Sequence, residues 1–222
     1  MPQDDTPPSE HVSVLLEEVV AWLRPSAGAV FVDGTLGGGG HTKALADAVG
    51  AEGRVLALDI DPAARQRAER NLRGLPVTLV DANFCELPEV FQQLAINSAD
   101  GVLLDLGLSS DQLADRSRGF SFDSEGPLDL RFNPNQGRPA WEWIDLLDER
   151  QLADVIYEFG EERHARRIAR AIVERRRQGP LGTAGELARL VRSCVRPSRA
   201  HRAIDPATRT FQALRISVND EL

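Results

Sequence analysis

The sequence predicts an α/β protein: a doubly wound parallel sheet, with a mainly helical domain inserted after its fourth strand. Three observations carry this. Four short apolar runs in the first half are continuous rather than alternating, as strands covered on both faces are. The stretches between the first three have helical composition, giving strand–helix–strand repeats. Beyond residue 110 the texture turns loop-rich and then helical.

The runs are residues 29–33 (AVFVD), 54–59 (RVLALD), 77–81 (VTLVD) and 101–105 (GVLLD), and each ends in aspartate. Residues 42–49 and 62–72 read as crossover helices, for which a right-handed path is expected. In such sheets ligands bind in the crevice outside the carboxyl ends of the strands. Asp33, Asp59, Asp81 and Asp105 are therefore expected on one rim. One aspartate after a strand is more often a helix N-cap; four in four strains that explanation. Residues 109–137 read as loop, and 141–178 and 183–195 as helices. Residues 111–207 are expected to be the inserted domain. The segment 206–222 reads as one more helix, expected to return to the sheet, so that 11–110 and 208–222 form the α/β domain. Residues 1–10 are acidic and proline-rich, unlike a signal peptide, and read as a frayed tail.

A chain of 222 residues can bury a core without staples. No apolar run approaches the ~20 residues a membrane helix needs. Cys85 and Cys194 lie far apart with no Cys-x-x-Cys, so neither a disulfide framework nor a metal site is argued, and a reducing cytoplasm fits. A net charge of -8 argues against a nucleic-acid binder over the whole surface. Every basic residue except Lys43 is arginine, and many fall between Arg163 and Arg209, so a local basic face is allowed.

The first strand runs into Asp33-Gly34-Thr35-Leu36-Gly37-Gly38-Gly39-Gly40-His41, which opens a helix. Glycines there allow positive φ and close backbone approach to a ligand, and the helix start adds amide donors. No register fits G-x-G-x-x-G: from Gly37 the third position is Thr42, and from Gly38 it is Lys43. A phosphate-binding Walker loop also fails, because Gly40 stands where lysine is required. Nicotinamide and ATP readings lose their main support. A strand-Asp-Gly-x-x-Gly turn suits S-adenosylmethionine; a purely structural glycine turn is the bland alternative. Asp59 stands where such sheets place an acid for ribose hydroxyls. Phe84 either flanks adenine or fills core.

The ordered set of motifs HVSVLL from His11, DGTLGGGGH, LALDID, LLDLGLSS, GFSF, GPLDLR and PATRTFQALRISVNDEL resembles the bacterial 16S ribosomal RNA cytosine methyltransferase family. The resemblance implies a Rossmann-like class I methyltransferase sheet with a helical insertion, and S-adenosylmethionine as cofactor. It implies transfer of a methyl group to the exocyclic 4-amino group of a cytidine in the decoding region of 16S rRNA, within an assembled or nearly assembled small ribosomal subunit. The family's cofactor contacts fall on Gly39, Gly40, His41, Asp59, Phe84, Asp105 and Gln112; Asp33 joins them as the end of the first strand. Asp111 stands where the family usually has proline. Members of that family continue beyond VNDEL with further strands, so the sheet is expected to be truncated, with the fourth strand at an open edge.

Asp105 is the candidate acceptor for a cytosine N–H, which would free the amino lone pair for attack; contact with the cofactor alone is the other reading. His41 is a ligand contact, a base, or neither. The usual D/N-P-P-Y/F motif is replaced by DLGLSS, so a base-stacking aromatic must come from elsewhere: Phe120 or Phe122, unless these are buried loop anchors. Arg163, Arg166, Arg167, Arg170 and Arg177 recur at helical spacing and are candidate phosphate contacts, with Arg196, Arg199 and Arg202 following. A solvated face balanced by Glu158, Glu161, Glu162 and Glu174 is the competing reading. A truncated, non-catalytic protein binding S-adenosylmethionine or RNA is the alternative function. The sequence leaves open the oligomeric state and why histidine, arginine and asparagine stand at His11, Arg209 and Asn219.

Overall fold

The structure, a computed structural model, describes residues 13–122, 125–195 and 204–222. His11, the tail 1–10, and Arg196, Arg199 and Arg202 lie outside the described residues. The chain divides into two compact units, Met1–Asp111 and Gln112–Leu222.

The first unit holds a parallel four-stranded sheet with β1 Val30–Asp33, β2 Arg54–Leu58, β3 Val77–Val80 and β4 Gly101–Leu103, in the order β3-β2-β1-β4. This is the order of the first four strands of a Rossmann-like sheet. Phe31 pairs with Val55 on one side and Gly101 on the other. Around the sheet lie helices α1 Leu16–Leu23, α2 Gly40–Val49, α3 Pro62–Asn71 and α4 Leu87–Gln93, the last preceded by a 3-10 turn at Phe84–Glu86. The continuous apolar runs follow from burial on both faces. Phe31 and Val55 pack with Leu45, Ala46 and Val49 of α2, while Val32, Leu56 and Leu58 pack with Ala82 and Val90. Helix α3 starts where expected: the Asp61 side chain accepts from the Ala63 N–H, and Pro62 takes the first helical position.

The second unit is helical. Helix α5 Ser110–Ala114 spans the boundary, followed by α6 Ala140–Leu146, α7 Glu149–Glu158, α8 Ala165–Arg176, α9 Ala184–Cys194 and α10 Ala207–Asn219. The single helix expected over residues 141–178 is thus three. It breaks at Asp148, whose capping box with Gln151 starts α7, and again at Gly160. A methyl group at Gly160 would run into the backbone oxygen of Arg209, so α10 lies directly against that corner.

One expected boundary is corrected. Residues 208–222 were assigned to the α/β domain; instead α10 packs against α7, α9 and α6 in the second unit. Its buried stripe of Ala207, Thr210, Phe211, Ala213, Leu214 and Ile216 is satisfied by helices, which an amphipathic pattern alone does not distinguish from a sheet. The structure also accounts for two residue types. The Arg209 guanidinium donates to the Glu161 carbonyl at 3.3 Å. The Asn219 side chain accepts from the Phe132 N–H at 2.7 Å and donates to the carbonyls of Leu130 at 2.7 Å and Arg215 at 2.9 Å. Leu130 has φ 63, so Asn219 pins a loop held in a costly conformation.

Candidate active site

The carboxyl ends of the four strands form one rim of the first unit. At its centre is the turn after β1. Asp33 starts it as an Asx turn: its Oδ1 accepts from the Thr35 N–H at 3.1 Å, and its Oδ2 accepts from the Thr42 hydroxyl of α2 at 2.6 Å. The turn is stitched to β2, with the Leu36 N–H donating to the Leu58 carbonyl and the Gly37 N–H to Asp59 Oδ2, both at 2.9 Å. Gly37 and Gly39 take φ of 49 and 81, a conformation that favours glycine.

Two further glycines are demanded by close approach. A methyl at Gly34 would lie 2.5 Å from Leu104 Cδ2 and 2.9 Å from Phe84 Cβ, so the ends of β1, β3 and β4 meet there. A methyl at Gly40 would strike the Ser13 hydroxyl, which places the segment before α1 against the glycine turn.

The four terminal aspartates have four environments. Asp33 is 1% exposed. Burial pushes its carboxyl up, while the Thr42 and Thr35 hydrogen bonds and the nearby His41 oppose this. Asp59 is pushed up to about 6, again by burial, against the N–H donors of Asp61 and Gly37. Asp81 is bound by Arg65, with Nη2 2.7 Å from Oδ2; the same guanidinium donates through Nη1 to the Asp59 carbonyl at 2.6 Å. The Asp105 side chain is 43% exposed. Its N–H donates to the Thr35 hydroxyl at 2.7 Å, and its Oδ2 lies 3.8 Å from His41 Nε2. His41 is buried, and its Nδ1 has no partner among the described residues.

The rim therefore gathers Asp33, Gly39, Gly40, His41, Asp59, Phe84 and Asp105. It can accept hydrogen bonds at Asp59 and Asp105, and Phe84 is only partly buried beside the glycine turn. Gln112 is buried on α5 as the first residue of the second unit. Sequence reasoning missed Thr35, Thr42 and Arg65. The Asp-Gly-Thr order is itself an Asx-turn signal and could have flagged Thr35.

In the second unit Arg163, Arg166, Arg167, Arg170 and Arg177 are all exposed, while Ile168 and Ile172 are buried on the opposite side of α8. Arg170 pairs with Glu149 at 3.4 Å; none of the other four forms an ion pair among the described residues. Of the balancing acids, Glu162 is buried and accepts from the His164 N–H at 2.7 Å at the start of α8. Phe120 and Phe122 are packed rather than displayed: Phe120 lies 5.8 Å from Phe132 with Arg118 over its ring, and Phe122 meets Phe211 edge-on at 4.9 Å. Phe120 is buried, as a loop anchor would be, and Phe122 is half-buried.

Comparison with known proteins agrees with the motifs. A "Ribosomal RNA small subunit methyltransferase H" of Rhodopirellula baltica is 48% identical over 96% of this chain, which spans 69% of that relative. Proteins of the same description from Koribacter versatilis and Granulibacter bethesdensis are 48% and 47% identical, again over 96% of this chain, which spans 69% and 63% of their lengths. The family model described as the MraW methylase family matches residues 8–222, and the chain belongs to that family.

Proposed function

We propose that this chain transfers a methyl group from S-adenosylmethionine to the exocyclic 4-amino group of a cytidine in the decoding region of 16S rRNA, in the cytoplasm, on an assembled or nearly assembled small subunit. The observation that carries the cofactor reading is Asp59. A half-buried carboxylate is kept beside a glycine turn whose Gly37 N–H it accepts, at the end of the second strand, although desolvation opposes its charge. Such a group is worth keeping where hydroxyl donors arrive, and ribose supplies two. The relatives' name supports an RNA substrate. Among the described residues no helix is long and apolar enough to cross a membrane.

The residues fit that cofactor. Asp59 would accept from the ribose hydroxyls, Phe84 would flank the adenine, and the turn through Gly39, Gly40 and His41 would receive the amino-acid end. When bound, S-adenosylmethionine supplies a methyl group already activated by its sulfonium. The protein's task is then to position and desolvate, which in well-oriented systems supplies ~7–11 kcal/mol. Asp105 stands at the open lip of the rim and would accept one N–H of the cytosine amino group, so that its nitrogen lone pair turns toward the methyl. The base must leave its helix to reach the rim. The exposed arginines Arg163, Arg166, Arg167 and Arg170 would hold RNA phosphates and set the salt dependence.

Incubation with labelled S-adenosylmethionine and small ribosomal subunits tests the reading. Label in a single cytidine of 16S rRNA is the expected result. Cofactor binding with no transfer to any RNA would favour a binding protein over an enzyme.

A further inference from the structure

We infer that Thr35 is a positioning residue: its hydroxyl latches the end of β4 to the turn after β1 and so fixes where Asp105 presents its carboxylate. The inference rests on the proposed role of Asp105 at the reacting end of the rim. Strand β4 pairs with β1 alone, through Gly101–Leu103 against Phe31–Asp33. Its other edge is open among the described residues, with Val102 and Leu104 exposed at 48% and 44%. Asp105 lies two residues beyond the last paired position, where an open edge frays most readily. Two backbone donors close the gap. The Gly34 N–H donates to the Leu103 carbonyl at 2.9 Å, and the Asp105 N–H donates to Thr35 Oγ1 at 2.7 Å.

The latch is directional. Thr35 Oγ1 lies 3.4 Å from Asp33 Oδ1, a group that also takes the Thr35 N–H and, through its other oxygen, the Thr42 hydroxyl. A hydroxyl has one proton and two lone pairs. With its proton turned to Asp33, its lone pairs face the Asp105 N–H. The donors then run one way, from β4 through Thr35 into a carboxyl that is itself tied to α2. His41 Nε2, at the start of α2, stands 3.8 Å from Asp105 Oδ2. The carboxylate thus meets α2 while its own backbone N–H is held by the turn. Valine keeps the branched shape of threonine without the latch, and serine keeps the latch without the branch.

The test begins with the ligand-free protein, by amide hydrogen exchange at Asp105. Thr35→Val is expected to speed that exchange by about 10-fold, and Thr35→Ser to leave it within about 2-fold of the parent. Titration with S-adenosylhomocysteine and the rate of methyl transfer to small-subunit RNA follow. Thr35→Val is expected to leave S-adenosylhomocysteine binding within about 2-fold and to lower the transfer rate by about 5-fold in the parent, and to add no further loss in an Asp105→Ala background, because the latch acts on the reaction through Asp105. A structural role would carry the loss into both backgrounds. Should the valine variant not fold, Thr35→Ala serves the same comparison. Unchanged Asp105 exchange without the hydroxyl, or an undiminished effect in the Asp105→Ala background, overturns the latch. A parent protein that takes up no S-adenosylhomocysteine overturns the cofactor reading instead, and the exchange measurement still decides the latch.

Discussion

Lowering the pH from 8 to 5 should weaken S-adenosylhomocysteine binding through one carboxyl. Asp59 is pushed up to about 6 from 3.8 by burial, so it changes charge inside this window. If only the ionised form accepts the ribose hydroxyls, the apparent dissociation constant rises by the factor 1 + 10^(6 − pH). That is negligible at pH 8 and about 11-fold at pH 5. Calorimetric titration across the range reads this directly, and the ligand itself has no group titrating there. Asp59→Asn should bind weakly and with a flat profile.

The same shift has a stability consequence of known sign. The folded protein holds its Asp59 proton more tightly than the unfolded chain. Stability from this group is therefore greatest at low pH and falls as pH rises from 3.8 to about 6. The loss is at most ~3 kcal/mol. Ligand binding above pH 6 would recover part of it through the new donors. A binding profile flat from pH 8 to 5, with Asp59 intact, would refute the assignment of this carboxylate to the ligand.

Other outcomes follow from named contacts. Arg166→Glu with Arg170→Glu should weaken RNA binding and reduce the slope of log affinity against log salt by about 1.4, two phosphate contacts' worth on a single strand; an unchanged slope rejects this face. Asn219→Ala removes one accepted and two donated hydrogen bonds at the Leu130 loop and should cost about 2–3 kcal/mol in a urea melt, with Asn219→Asp in between. Asp205 is held below its usual range chiefly by the Arg192 guanidinium, 2.6 Å away, against partial burial and with help from the Ala207 N–H. Its stabilisation is present at neutral pH and is lost on acidification below about 4, as the carboxyl protonates. Asp205→Asn should abolish that acid limb, by less than ~1 kcal/mol because the pair is part-exposed, in melts at pH 7 and pH 3.

Much of the sheet was legible because burial on both faces leaves a composition signal that needs no partner to read. All four apolar runs became strands, in the expected parallel arrangement. The second unit was less legible for a physical reason. Its helices are amphipathic, and an apolar stripe says that a partner exists, not which one. Helix α10 was assigned to the wrong layer on that account. Of the two breaks in residues 141–178, the one at Asp148 carries a local signal, its capping box with Gln151, while the need for glycine at Gly160 comes from the distant Arg209 backbone. Arg166, Arg167 and Arg170 are exposed on α8 while Ile168 and Ile172 are buried on its other side, an arrangement the spacing of the two isoleucines already implies.

The four strand-end aspartates show where such reading stops. In sequence they are alike: an acid after an apolar run. In the fold they divide by depth and by what donates to them. Asp33 is sealed under the turn and spends its lone pairs on Thr35 and Thr42, so its job is to shape the glycine bend. Asp81 is neutralised by Arg65 and ties the β2 and β3 ends together. Asp59 is half-buried and, among the described residues, holds two backbone donors, one on each oxygen, so each oxygen keeps a lone pair to offer. Asp105 stands exposed at the open edge and depends on Thr35 for its place. Position along the chain brings all four to the rim; only the donors supplied by other segments decide which of them are left to meet a ligand. Those donors sit on Thr42 and Arg65, whose types carry no functional signal until the strands are aligned, and on Thr35, which the Asx turn alone marks in the sequence.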